Sequence, residues 1–229
     1  MLESLRAEVY EANMEVVRRG LVLYTFGNAS GIARGESLVA IKPSGVPYET
    51  LRPEHLVISD LDGHIVEGDL KPSSDLPTHL ALYRAFAAIG GVVHTHSRYA
   101  TAWAQAGREI PCLGTTHADY FHGPVPVTEA MQPHEIESEY ERNTGHVIVR
   151  RFAGMDPVSK SGVLVAGHAP FAWGRTPTEA AHNAVVLEEI ACLAYHALTI
   201  NPAATPLSDC LRDKHFLRKH GPKKYYGQE

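Results

Sequence analysis

Leu2, Leu5, Val9, Ala12 and Val16 recur at intervals of three and four, and the run stops at Gly20. That spacing predicts an amphipathic first helix with a glycine at its C-terminal end. Short extended segments follow at Leu21 to Thr25, Leu38 to Ile41 and Leu56 to Ser59, and a turn at Asp62-Gly63 leads to His64 to Val66 as a hairpin. The first third therefore builds antiparallel sheet. Beyond it the periods alternate: a helix over Thr78 to Ala88, a strand over Gly91 to His96, and a helix capped by Ser97 that runs to Ala106. Pro133 opens a helical pattern over Glu135 to Phe152, Gly162 to Ala166 is an apolar strand, and Thr176 or Thr178 caps a long helix to about Leu198. A helical or coiled tail ends the chain, and Ala153 to Ser161 and Ile200 to Ser208 are the loops most open to insertion. Together these elements predict one α/β domain over residues 1–229, with a mostly antiparallel or mixed sheet covered by helices.

Composition narrows the class without choosing a function. With 229 residues, 44% hydrophobic and 21% charged, the chain has the makeup of a globular domain and not of a disordered or coiled-coil one. No run of about 18 apolar residues is visible for a membrane span, and the charged start L-E-S-L-R-A-E-V differs from an apolar leader. A protein with no membrane association, in the cytoplasm, is the expectation. Cys112, Cys192 and Cys210 are odd in number and far apart, so neither a disulfide framework nor a zinc knuckle is indicated. The net charge of -5 argues against nucleic-acid binding, although the tail is basic at Arg212, Lys214, Arg218, Lys219, Lys223 and Lys224.

Fourteen histidines are the anomaly that points to chemistry. In I-G-G-V-V-H-T-H-S, His94 and His96 stand two residues apart, which on an extended strand projects both imidazoles from one face. A catalytic zinc takes three protein ligands and keeps a position open. His168 in G-V-L-V-A-G-H-A-P-F is the best third ligand, because it too ends an apolar strand with a helix start expected soon after. Asp75 in K-P-S-S-D-L-P-T-H is a candidate fourth ligand or an acid/base beside the ion, and His79, His117, His122, His182 and His215 compete on spacing alone.

Three segments rich in small residues suit an anion: T-F-G-N-A-S-G at 25–31, K-P-S-G at 42–45 and K-P-S-S-D at 71–75. Their backbone N–H groups, hydroxyls and lysines form the donor set of a phosphate cradle, and ordinary turns have the same residues. None is a nucleotide-binding fingerprint of either common glycine-rich type. T-T-H-A-D-Y-F at 115–121 sets Asp119 among groups able to shift its pKa, and Tyr225-Tyr226 gain a role only if the tail docks over a site.

Taken together, G-N-A-S-G, I-K-P-S-G-V, K-P-S-S-D-L-P-T-H, G-G-V-V-H-T-H-S-R-Y-A-T-A-W-A-Q-A-G, G-T-T-H-A-D-Y-F, H-A-P-F-A-W-G, H-N-A-V-V-L-E-E and the ending D-K-H-F-L-R-K-H-G-P-K-K-Y-Y-G-Q resemble the class II aldolase and epimerase family, on its sugar-phosphate epimerase side. The resemblance covers essentially the whole chain. It implies a three-layer α/β fold and one divalent ion per subunit, zinc with manganese or cobalt as alternatives. His94, His96 and His168 would hold that ion, with Asp75 at it. It further implies a phosphate grip from Asn28, Ser44, Gly45, Ser73 and Ser74 with Lys42 close by, Thr115 and His215 among the substrate contacts, and Asp119 and Tyr226 as the acid/base pair. In that pattern the tail from about residue 205 completes a neighbouring subunit's site in a ring-shaped homotetramer. The implied reaction inverts C4 of a phosphorylated ketopentose, L-ribulose 5-phosphate to D-xylulose 5-phosphate, by breaking and remaking the C3–C4 bond. An aldolase of the same family that releases its fragments, or a metal-binding scaffold without catalysis, are the competing readings.

Overall fold

The computed structural model describes residues 2–226. Seven strands form a single sheet in the order β4-β3-β2-β1-β5-β7-β6, every neighbouring pair antiparallel. The strands are β1 (Asn28–Ala33), β2 (Leu38–Ile41), β3 (Val57–Asp60), β4 (Ile65–Glu67), β5 (Gly91–His94), β6 (Gly162–Leu164) and β7 (Pro170–Gly174). The helices are α1 (Leu2–Arg18), α2 (Leu76–Ala85), α3 (Arg98–Gln105), α4 (Thr115–Ala118), α5 (Pro133–Glu137), α6 (Tyr140–Arg151), α7 (Pro177–Ile200) and α8 (Asp209–His220).

Strand alternation divides the core into two layers. Val93, Ala172 and Leu164 turn to α1, α3 and α7, while Val92, Phe171, Trp173 and Val163 turn to α2 and α6. At the other end of the sheet, Leu5 and Val9 of α1 pack with Ala40, Leu56 and Ile58. Asn13, buried in α1, clasps β1 directly: its amide donates to the Ala29 carbonyl at 3.1 Å and its side-chain oxygen accepts the Ala29 N–H at 2.9 Å.

The periodic reading holds for α1, β2, β3, the hairpin into β4, α2 and α7, whose cap is Thr176, accepting from the Glu179 N–H. Several expectations are corrected. Leu21 to Thr25 is not a strand; the strand begins at Asn28, inside the segment read as an anion loop, because Ser30 and Gly31 are small enough to lie under packed helices. The strand over Gly91 to His96 stops at His94, so strand alternation is not what pairs His94 with His96. The pattern over Glu135 to Phe152 is two helices, broken at Ser138-Glu139, where the Asn143 amide donates to Glu135 O and Ser138 Oγ. The strand over Gly162 to Ala166 ends at Leu164 and is followed by β7, so the chain after His168 is a hairpin arm and helix α7 starts only at Pro177. Ser97 makes no capping hydrogen bond; Glu188 of α7 does that work, accepting the N–H groups of Tyr99 and Ala100 at 2.8 and 2.9 Å. Helix α7 is also long and apolar enough, by length and composition, to cross a membrane, contrary to the sequence expectation; here Ala180, Ala184, Leu187, Ile190 and Ala191 on it are core residues.

The N-terminus of α7 rests on glycines. A Cβ on Gly91 would lie 2.5 Å from the Cα of Pro177, and one on Gly174 2.6 Å from the Ala180 nitrogen. These are backbone atoms, which cannot swing aside as a side chain does. Gly91→Ala is therefore expected to cost about 1–3 kcal/mol of unfolding free energy in urea titration. Gly35→Ala, with open space around its Cβ, should stay within about 1 kcal/mol of the parent.

Candidate metal centre

The three central strands assemble the site. His94 ends β5, across from Asn28 of β1 on one side and Phe171 of β7 on the other. Its ring stacks on Phe171 with centroids 4.2 Å apart. His96 follows in the short link to α3, and His168 stands in the turn between β6 and β7. The three rings form an equal-sided triangle, each pair of centroids 5.0 Å apart, and one ligand atom from each lies within 4.8 Å of the other two.

This donor set fits a metal. The Nε2 atoms of His94 and His96 are 3.2 Å apart. A tetrahedral zinc with Zn–N bonds near 2.0–2.1 Å has an N–N edge of about 3.3 Å. Nδ1 of His94 faces the Pro170 carbonyl at 2.9 Å, which fixes the tautomer and leaves Nε2 free to ligate. Burial, and then the neighbouring imidazoles, lower the pKa of His96 and bring that of His168 down to about 4, so both are neutral in the form that ligates. Asp75 falls outside this tight cluster. Burial alone would raise its pKa, but His94, His79, the Asn28 amide and His168 outweigh that and hold it below the usual carboxylate range.

All three anion segments meet in one pocket of about 260 Å³, lined by Asn28, Lys42, Ser44, Gly45, Ser73 and Ser74 and bordered by Asp75. The bridge between Pro43 and Pro72 and the Ser44 N–H on Lys71 O bring two of the loops together. The Asn28 amide joins pocket to centre, donating to Ser73 Oγ at 3.0 Å and to Asp75 Oδ2 at 2.6 Å. Lys42 is buried; its ammonium donates to Val46 O at 2.8 Å and lies over the Tyr48 ring, and burial lowers its pKa to about 8.

Asp119, Thr115, His215 and Tyr226 lie together elsewhere. Asp119 accepts from Arg218 Nη2 at 2.7 Å and Nε at 3.0 Å and sits 3.1 Å from His215 Nδ1. Its N–H bonds the Thr115 carbonyl, so Thr115 belongs to this group and lines no part of the phosphate pocket. Burial works against ionisation of Asp119, yet Arg218 and His215 hold its carboxyl below the usual range. The Tyr226 ring lies 4.5 Å from the Arg218 guanidinium and 4.9 Å from Lys219. Among the described residues, no hydrogen bond joins this group to the three imidazoles. Sequence reasoning had Arg218 only as a tail charge, and it missed Glu188 and Tyr140, whose hydroxyl is 3.5 Å from His168 Nδ1; no local pattern marks either.

The competing histidines have other partners. His79 is enclosed, with Nδ1 2.7 Å from Ser30 Oγ; His122 pairs with Asp213, and His182 lies against Tyr120. His117 Nε2 donates to Gly123 O at 2.8 Å.

The chain belongs to the family described as Class II Aldolase and Adducin N-terminal domain, whose profile matches residues 7–195. Among curated relatives, the protein named L-ribulose-5-phosphate 4-epimerase UlaF from Salmonella paratyphi C (strain RKS4594) is 54% identical over 228 residues, covering 100% of each chain. The protein of that name from Salmonella typhi is 53% identical over the same length. Among solved structures, Escherichia coli YgbL, titled a putative aldolase/epimerase/decarboxylase, aligns with a TM-score of 0.73 at 26% identity, over 93% of this chain and 98% of that one. An L-fuculose 1-phosphate aldolase reaches a TM-score of 0.78 at 24% identity over 93% and 94%, a likeness of fold.

His117 gives the fold a dependence on pH. Its burial brings its pKa from 6.5 to about 4. The unfolded chain thus takes up this proton before the folded one does, and stability falls as pH drops through that window. The difference is worth up to roughly 3 kcal/mol. Urea midpoints measured from pH 7 to 4 should decline, and His117→Gln, which keeps a donor for Gly123 O, should flatten part of that decline.

Proposed function

We propose that this chain inverts C4 of L-ribulose 5-phosphate to give D-xylulose 5-phosphate, by cleaving the C3–C4 bond and re-forming it on the other face. The observation that carries the reading is the junction of three converging imidazoles with a phosphate-sized polar pocket, made through Asn28 and Asp75. The full-length likeness to proteins named as this epimerase supports it.

The C4 hydrogen of a 2-ketopentose has no adjacent carbonyl, so removing it as a proton is unfavourable. Breaking the C3–C4 bond needs only that the C4 hydroxyl lose its proton while the bonding pair passes to C3, conjugated with the C2 carbonyl. A divalent cation on His94, His96 and His168, zinc with manganese or cobalt as alternatives, supplies Lewis acidity for that charge when bound. Asn28, Ser44, Gly45, Ser73 and Ser74 hold the phosphate of the two-carbon aldehyde fragment, with Lys42 adding positive charge beneath, so the fragment turns its other carbonyl face without escaping. Asp75, kept anionic and tied to Asn28, orients the centre.

Two acid/base groups are needed, one for each orientation of the C4 oxygen. Asp119 and Tyr226 take these roles from a neighbouring copy, in a ring-shaped homotetramer whose tails from about residue 205 complete adjacent sites. Two features support this: the pair forms one cluster through Arg218, with Asp119 just after α4 and Tyr226 in the segment after α8, and His96 borders an opening of about 560 Å³ that includes Leu23, Arg98 and Glu188. A cytoplasmic setting accords with three free cysteines.

Purified protein should convert L-ribulose 5-phosphate, lose that turnover on chelation and regain it with zinc, with little free glycolaldehyde phosphate. Its stoichiometric release would instead make the protein an aldolase, the reading its fold neighbours favour. His96→Asn should lose both zinc and turnover, and full retention of both sinks the ligand assignment. In a separate test, Tyr226→Phe should lower kcat by about 10²-fold or more with zinc content and Tm nearly unchanged; a large drop in Tm would mark the tail as packing.

A further inference from the structure

We infer that Tyr140 is a positioning residue for His168: its phenol oxygen accepts the Nδ1 hydrogen of that imidazole and so presents Nε2 to the metal. The inference rests on the metal-centre reading above. His168, like His96, stands outside the ladder that fixes His94, in the turn of the β6–β7 hairpin. An imidazole on such a turn needs its far nitrogen engaged if its ring is to keep one orientation. For His94 that engagement is the Pro170 carbonyl. For His168 the side chain hydrogen-bonded to Nδ1 among the described residues is Tyr140, its hydroxyl 3.5 Å away and its ring centroid 6.2 Å from the imidazole.

The phenol is delivered by a pinned backbone. Tyr140 opens α6 just after the break at Ser138-Glu139, which Asn143 ties from both sides, and its own carbonyl accepts the hydroxyl of buried Thr144 at 2.9 Å. The helix break that interrupts the periodicity of this region therefore fixes where the hydroxyl points. The phenol oxygen carries lone pairs able to accept a hydrogen from the far nitrogen of an imidazole.

The test compares zinc affinity, by competition with a chromophoric chelator, and the visible spectrum of the cobalt-loaded protein in the parent, Tyr140→Phe and His168→Ala. Tyr140→Phe should bind zinc about 10- to 100-fold more weakly and alter the cobalt spectrum, while the urea midpoint of the metal-free protein stays unchanged. Zinc affinity within about twofold of the parent and an unaltered cobalt spectrum overturn the inference; so does a collapsed urea midpoint, which assigns the phenol to packing. His168→Ala separates the two levels. Loss of zinc there beside an unaffected Tyr140→Phe sinks the role of Tyr140 alone, whereas zinc retained by His168→Ala sinks the metal centre and this inference together.

Discussion

The closeness of α7 to the sheet is the constraint from which the centre follows. Pro177 and Ala180 touch strands β5 and β7 where glycine replaces a side chain, so the helix lies against the backbone itself. That contact does two things for the site. It fixes the two strands that carry His94 and Phe171, and it sets α7 at a height from which Glu188 reaches the first N–H groups of α3. The four residues from His94 to Ser97 are thereby held at one end by the ladder and at the other by a carboxylate clamped on a helix start. A cap supplied by the helix's own Ser97 would have fixed α3 relative to its link only; a cap from α7 fixes it relative to the sheet.

Charge follows the same economy of position. Burial and the neighbouring imidazoles lower the pKa of His96 and His168, which favours the neutral rings that ligate a metal. Next to them Asp75 remains an anion, although burial opposes this, because the imidazoles and the Asn28 amide surround it. Lys42 on the far side of the pocket has no carboxylate hydrogen-bonded to it and gives its protons to loop carbonyls. The pocket thus has the Lys42 ammonium and the Asp75 carboxyl in one lining.

Much of this was legible in the chain, for identifiable reasons. Helices α1 and α7 have long amphipathic or capped stretches, and the hairpin at Asp62-Gly63 has a turn that few other conformations accept. The three histidines and three anion segments were found by residue type, and they do converge. The first pair is not made within a strand: His96 lies past the end of β5, in the link to α3, with its Nε2 3.2 Å from that of His94. Strand β7 was hidden because Pro170 to Gly174, flanked by two turns, has the composition of a loop leading to a helix. Nothing local marks Gly31, Gly91 and Gly174 as packing positions, and only the packed helix shows that their lack of a side chain is the feature used. Glu188 and Tyr140 were invisible for a related cause, since each acts across more than 25 residues of sequence on a group that periodicity cannot connect to it.

The tail shows how a weakly packed element can still be placed with accuracy. Helix α8 has no buried residue, so apolar burial does little to seat it. What seats it is a set of directed contacts, most of them to one carboxyl-bearing residue: Arg218 grips Asp119 through two nitrogens, His215 meets the same carboxylate and His220 reaches the Asp119 carbonyl, while Asp213 pairs with His122. Exposed ion pairs contribute little, but Asp119 is only 9% exposed, and a two-pronged guanidinium contact in such a setting fixes angle as well as distance. An element held this way can present Tyr226 reproducibly while leaving most of its surface free for another molecule. Were α8 seated by a greasy face instead, that face would be consumed by its own subunit. A polar latch therefore seats the helix without burying any of its residues.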